Sequence, residues 1–284
     1  MRGLRHPQIQ TLFFLRMPGG EIAQPQDVKN MQNVKPCQFC GEEKPLVKSH
    51  IIPRSFYELP LFRQKAPKKA LSIISDSENW GPKRQPSGLY DTQLFCEDCE
   101  KKFMVYDDYA FKLLYKKRGL RKEWRNREGQ VIAEYYESYD YGNLKLFFLS
   151  VLFRAGISQH DFFQHVTLGP YLDILKETID IGKTPPANDF AVIMQYYRDG
   201  PSGPAIFPPS SQRIENVTFY CFHLGREVFY IKLDQQQSPF SLRPFVLKPG
   251  APLMLLGVQF RSSQAFKVLE RIVQNPANSK YFSS

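Results

Sequence analysis

The chain has 284 residues, 42% of them hydrophobic, with 38 Lys plus Arg against 28 Asp plus Glu for a formal charge of +10. This composition excludes a disordered polyelectrolyte, a collagen-like chain and a miniature that depends on disulfides, and no stretch approaches the ~20 consecutive apolar residues of a membrane helix. The excess charge is local: residues 1–43, 44–127 and 128–284 carry +1, +9 and 0, which points to an anionic partner for the middle block.

In chain order, residues 1–34 read as a poorly ordered arm with Gly19-Gly20 and Pro25; the run Thr11 to Leu15 is too short for the apolar core of a signal peptide. Cys37-Gln38-Phe39-Cys40-Gly41 follows, and then a short β-like segment from Val47 to Ile52 that Pro53 ends. Residues 61–90, rich in Lys, Pro, Ser and Gly, read as a basic insertion carrying Lys65, Lys68, Lys69, Lys83 and Arg84. Cys96-Glu97-Asp98-Cys99 opens a helix with an apolar face of Phe103, Tyr106, Ala110, Phe111 and Leu114, and Gly119 lies just past its end. Residues 112–127 form a basic end to this unit, holding Lys112, Lys116, Lys117, Arg118, Arg121, Lys122, Arg125 and Arg127 against Glu123 alone.

Beyond residue 127 the chain is neutral. Apolar helices are expected at 144–155 and 172–181, and strands at 190–197, 217–223, 227–233 and 252–260, with Leu224-Gly225-Arg226 as a hairpin turn. Ser263 can cap a last helix. The reading is α+β with mostly antiparallel strands, divided into an arm at 1–34, a zinc-binding basic domain at 35–127 and an α+β domain at 128–284.

The five cysteines fall as two CxxC pairs and Cys221. Two thiolates three residues apart grip one ion when the chain turns tightly, and Gly41 tolerates that turn. The second pair begins a helix, whose positive dipole end favours thiolate. Cys37, Cys40, Cys96 and Cys99 are therefore expected to hold a closed, structural Zn²⁺ that does no chemistry itself. Cys221, alternating with apolar residues, reads as a core thiol. Free thiols in this pattern fit a reducing, cytoplasmic compartment, with no membrane segment.

Taken together, Cys37-Gln38-Phe39-Cys40-Gly41, Ser49-His50-Ile51-Ile52-Pro53 and Leu94-Phe95-Cys96-Glu97-Asp98-Cys99 resemble the zinc-containing branch of the HNH endonucleases, over residues 35 to about 110. The resemblance implies a treble-clef or ββα-metal unit, with His50 as the general base that activates water and a divalent Mg²⁺ or Mn²⁺ stabilising charge on phosphate. Asp91 and Glu100 stand where the family has metal-ligating or catalytic Asn or His residues, Ser49 stands where it has Asp or His, and Met104 replaces a further His or Asn. Asp107 shares the helix face of Glu100, while Asp107 and Asp108 also read as a solvated acidic pair.

The basic stretch would neutralise phosphates of nucleic acid, DNA in the first place, and Tyr115 and Trp124 among its cations would stack on unpaired bases. Three functions follow: a metal-dependent endonuclease, a catalytically inactive nucleic-acid-binding module, or a protein-interaction adaptor with purely structural zinc. An ATP-driven enzyme is not supported, since the sequence carries no glycine-rich phosphate loop.

Overall fold

A computed structural model describes residues 34–57, 72–73, 83–84, 88–199, 205–224 and 226–274. The arm apart from Val34, and Lys65, Lys68 and Lys69 of the insertion, lie outside the described residues, and so does the hairpin's Gly225.

The chain begins with an antiparallel hairpin of β1 (Val34–Pro36) and β2 (Glu43–Pro45), with the first CxxC pair in its turn. Next come β3 (Ser49–His50), β4 (Ser72–Ile73), β5 (Lys83–Arg84) and β6 (Tyr90–Asp91), in which β3 pairs antiparallel with β6. Helix α1 (Glu97–Phe111) starts at the second CxxC pair and runs into a π turn, Lys112–Lys116, and a 3-10 turn, Arg118–Leu120. The expected basic helix end then departs from helix altogether. Lys122–Arg125 is a strand, β7, antiparallel to β8 (Val131–Tyr136). The physical reason is turn chemistry. Asn126 accepts at its side chain from the Gln130 N–H (2.8 Å), and Gly129 takes a φ of 78°, which closes a hairpin that helical periodicity does not register.

The rest comprises α2 (Tyr141–Ile157), α3 (Tyr171–Ile181), β9 (Val192–Tyr197), β10 (Ala205–Ile206), β11 (Ser210–Ile214), β12 (Val217–Leu224), β13 (Glu227–Lys232), β14 (Leu253–Val258) and α4 (Gln264–Gln274). The seven-stranded sheet runs β11-β12-β13-β9-β14-β8-β7, antiparallel throughout except for β14 beside β9. A three-stranded sheet of β10, β4 and β5 is hydrogen-bonded separately, with β10 next to β12. The fold is α+β with mostly antiparallel strands, and the helices and strands expected beyond residue 140 form within a few residues of their expected limits. The 127/128 boundary falls inside the β7–β8 hairpin.

Helix α2 is buried on every side: all twelve residues from Leu144 to Ala155 are enclosed, as a helix without a polar face requires. Asp140 caps it, accepting from the Asn143 N–H at 3.0 Å. One side packs on the cysteine-bearing unit, where Phe153 meets Phe39 (5.8 Å between ring centroids) and Phe95 (6.3 Å). Another packs on the sheet, where Phe148 meets Phe229 of β13 at 4.8 Å. One hydrophobic core consequently runs from Cys37 to Leu255, and truncating any of these rings to Ala costs about 3–5 kcal/mol.

Two cations lie inside α2. Lys145 donates to the carbonyls of Asp189 (2.9 Å) and Phe190 (2.6 Å), and burial pulls its ammonium down to about 7. Arg154 is wholly enclosed and grips Asp107 of α1 with two bonds, at 2.9 and 2.7 Å, while also donating to the His50 carbonyl at 2.9 Å and to Ser150. Asp107 is thus the anion of an interior ion pair rather than half of a solvated pair, because α2 brings a guanidinium against it; Asp108 remains exposed. Burial outweighs the pull of Arg154 and raises the Asp107 carboxyl above its usual range, so the pair fixes geometry more than it adds stability.

Replacing only the cation strands the anion. Arg154→Met should lose about 3–5 kcal/mol of unfolding free energy in urea titrations, and the double variant Arg154→Met/Asp107→Leu should regain most of it.

Candidate metal centre

The knuckle that carries Cys37 and Cys40 is a closed turn: Gly41 N–H donates to the Cys37 carbonyl (2.8 Å), Cys37 N–H to the Glu42 carbonyl (2.9 Å), and Gly41 has a φ of 79°. It is laid against the start of α1 by backbone bonds. Gln38 N–H donates to the Leu94 carbonyl (2.9 Å) and Val47 N–H to the Phe95 carbonyl (2.8 Å), and Leu46 bridges Cys96. Cys96 precedes the first turn of α1 in extended conformation, and Cys99 lies one turn further on.

This arrangement brings all four Sγ atoms within 4.8 Å of one another, with Cys40 and Cys96 at 3.9 Å. A tetrahedral zinc with bonds of about 2.3 Å needs sulfurs about 3.8 Å apart. The donor set and the spacing therefore fit zinc, and Cys37, Cys40, Cys96 and Cys99 would hold it. Three of the thiols are buried and Cys40 is exposed. Burial pushes the Cys37 thiol up, but backbone N–H groups of Cys40, Cys96 and Phe39 outweigh it and bring it to about 7, while burial raises Cys40 and Cys99. Cys96 N–H also points at the Cys37 sulfur (3.4 Å), the kind of backbone bond that steadies a metal-bound thiolate. Cys221 is buried between strands, and its thiol is pushed up to about 12 by that burial.

The residues singled out for catalysis occupy different surroundings. On the β3–β6 ribbon the partners are Ser49 with Asp91 and His50 with Tyr90; opposite residues share a face and successive ones alternate. His50 therefore lies on the Tyr90 face, its ring 5.9 Å from that ring, and Asp91 on the other. Asp91 accepts from Gln93 N–H (2.8 Å), Ser158 Oγ (3.2 Å) and Gln159 N–H (3.2 Å), and so ties the end of α2 to the ribbon. Glu100 sits beneath the ribbon beside Ser49, the His50 backbone N–H and Arg154, and burial raises its carboxyl above the usual range. Among the described residues, the four cysteines are the one group of three or more His, Cys, Asp or Glu side chains close enough to share a metal ion.

The basic stretch divides as well. Arg121, its side chain 2% exposed, donates to Glu134 and Glu227 (3.0 Å each), to the Tyr136 hydroxyl and to the Leu114 carbonyl. Arg118 lies 3.7 Å from the same Glu227. Lys112, Lys122 and Arg125 are exposed beside Asp108, Glu137 and Glu123, surface pairs worth at most about 1 kcal/mol. Lys116, Lys117 and Arg127 are exposed with no ion pair among the described residues. Tyr115 stacks on Phe111 at 5.3 Å, whereas Trp124 is 53% exposed.

Sequence reasoning missed Arg154, although a lone arginine in so apolar a run was a signal. It also missed Glu134 and Glu227, which are distant in sequence from the arginine they neutralise. Compared with protein-family models, curated proteins and solved structures, the chain matches none, so the HNH resemblance rests on its motif residues alone. No described helix is long and apolar enough to cross a membrane.

Metal analysis of freshly reduced protein should return about one zinc per chain, and Cys99→Ser should lose that zinc together with several degrees of thermal stability. Full zinc retention by Cys99→Ser would rule out the four-sulfur site.

Proposed function

We propose that this chain is a zinc-stapled, treble-clef-like protein that binds nucleic acid through its basic segment and does not itself cut it. Arg154 carries the non-catalytic part of the reading. Its guanidinium fills the polar interior beneath His50, where it meets Asp107 and faces Glu100. Metal-assisted phosphodiester hydrolysis needs a divalent cation in such a place, with an open position for substrate. Binding is supported by the cations of residues 112–127 other than Arg121. They lie on adjoining turns and an edge strand, and seven positive groups there outnumber Glu123.

Hydrolysis with His50, Asp91, Glu100 and Mg²⁺ or Mn²⁺ remains the second reading, favoured by one observation. The buried Ser49 Oγ and Glu100 Oε2 lie side by side without a well-formed hydrogen bond, and a small ion or water would satisfy both. An adaptor role with purely structural zinc is the third.

Wild-type protein should bind a DNA oligonucleotide with an affinity that falls steeply with salt, and Lys116→Gln/Lys117→Gln/Arg127→Gln together should lower the salt slope by about 3 units. Incubated with plasmid and Mg²⁺ or Mn²⁺, wild type and His50→Ala should both leave it intact. Metal-dependent cleavage that His50→Ala abolishes would overturn the non-catalytic reading in favour of the second, and no binding even at low salt would leave the adaptor role.

A further inference from the structure

We infer that the outer face of the β7–β8 hairpin is a stacking platform for the unpaired bases of a single-stranded nucleic acid, with Trp124 and Tyr135 as its two rings. This deepens the nucleic-acid reading above and rests on it.

The register puts Trp124 opposite Ala133 and Lys122 opposite Tyr135. Opposite residues share a face, so Trp124, Tyr135 and Lys122 project to the same side of the hairpin, the two rings as diagonal neighbours with about 7–8 Å between their positions. Ala133, buried and small, leaves the space beside Trp124 low. Trp124 is 53% exposed and Tyr135 is half-buried, and among the described residues no other ring packs on either. More than half exposed on the end strand of a sheet, and with no ring packed against it among the described residues, Trp124 offers a π face. Bases of any identity stack on such a face, each worth about 1–3 kcal/mol.

The surroundings supply what a backbone of phosphates needs. β7 is the terminal strand of the seven-stranded sheet, and all four of its residues are exposed. Its Lys122 shares the Trp124 face, Arg125 reaches back to Glu123 on the opposite one, and Arg127 follows in the turn. The acids beside them, Glu137 and Glu123, are solvent-exposed partners that a polyanion can displace at little cost. Glu134 lies on the other face, where Arg121 and Arg226 occupy it. An apolar peptide would find no deep groove between these rings, and a duplex keeps its base faces stacked away from them. A single strand presents free base faces and phosphates together, which is what this surface complements.

The test compares an oligo(dT) of about 20 nucleotides with a duplex of the same length, by fluorescence anisotropy at low salt, for wild type, Trp124→Leu and Trp124→Phe. Trp124→Leu should weaken oligo(dT) binding about tenfold while duplex affinity stays within about twofold, and Trp124→Phe should recover most of the loss. Zinc content and a melting curve check that both variants fold, which exposure on an edge strand favours. Equal losses on strand and duplex, or none on either while the Lys116/Lys117/Arg127 variant still loses binding, overturn the platform and leave the nucleic-acid reading standing. No binding of either probe by wild type overturns both.

Discussion

A helix with no polar face has to be covered on all sides, and α2 imposes that requirement on everything around it. Leu144 to Ala155 exposes nothing, so the sheet must lie on one flank and the cysteine-bearing unit on another. The four-cysteine unit and the neutral half of the chain are in this sense two covers of one helix. Arg154 sharpens the constraint. A buried guanidinium is tolerated only where anions and carbonyls converge on it, and Asp107, Ser150 and the His50 carbonyl do so. The same contacts hold α1 and the β3–β6 ribbon at a fixed place over α2, while the knuckle, bonded across to Leu94 and Phe95, holds the first turn of α1.

That arrangement sorts the charge of the molecule into two kinds. Arg121, Arg154 and Lys145 are structural cations, enclosed with their acceptors, and nothing outside the protein reaches them. Among the described residues, a run of surface cations follows α1 on its turns and on β7. The catalytic candidates are affected in the same way. Asp91 is spent on the end of α2, Glu100 faces Arg154, and His50 lies across the ribbon from Asp91. The family resemblance brought the three together, and the alternation of the ribbon separates His50 from Asp91.

Local signals were the legible ones. The CxxC pairs point to a four-sulfur cluster because ligand spacing and the turn at Gly41 are properties of a few consecutive residues, and β9, β12, β13 and β14 announce themselves by β-branched and aromatic runs, whereas the polar β11 (Ser210–Ile214) does not. What stayed hidden was set at long range. The neutral-versus-basic boundary at 127 suggested two domains, yet Trp124 pairs with Ala133 across it, and no composition window reveals a strand pairing. Asp107 looked solvated because its partner lies 47 residues away. The basic run from Lys112 looked like one helix end because charge density masks the π turn and the Asn126-to-Gly129 turn that break it.

The central claim, that the metal clamp and the sheet share one core through α2, is tested most directly by urea unfolding of the zinc-loaded protein read by two probes together. Near-UV circular dichroism reports the packed aromatic rings, and a colorimetric chelator reports released zinc. The account predicts a single transition with coincident midpoints, as one cooperative unit requires. Zinc release that is complete at a urea concentration where the aromatic signal is still native would contradict it, because the clamp would then be a separate domain tethered to the rest.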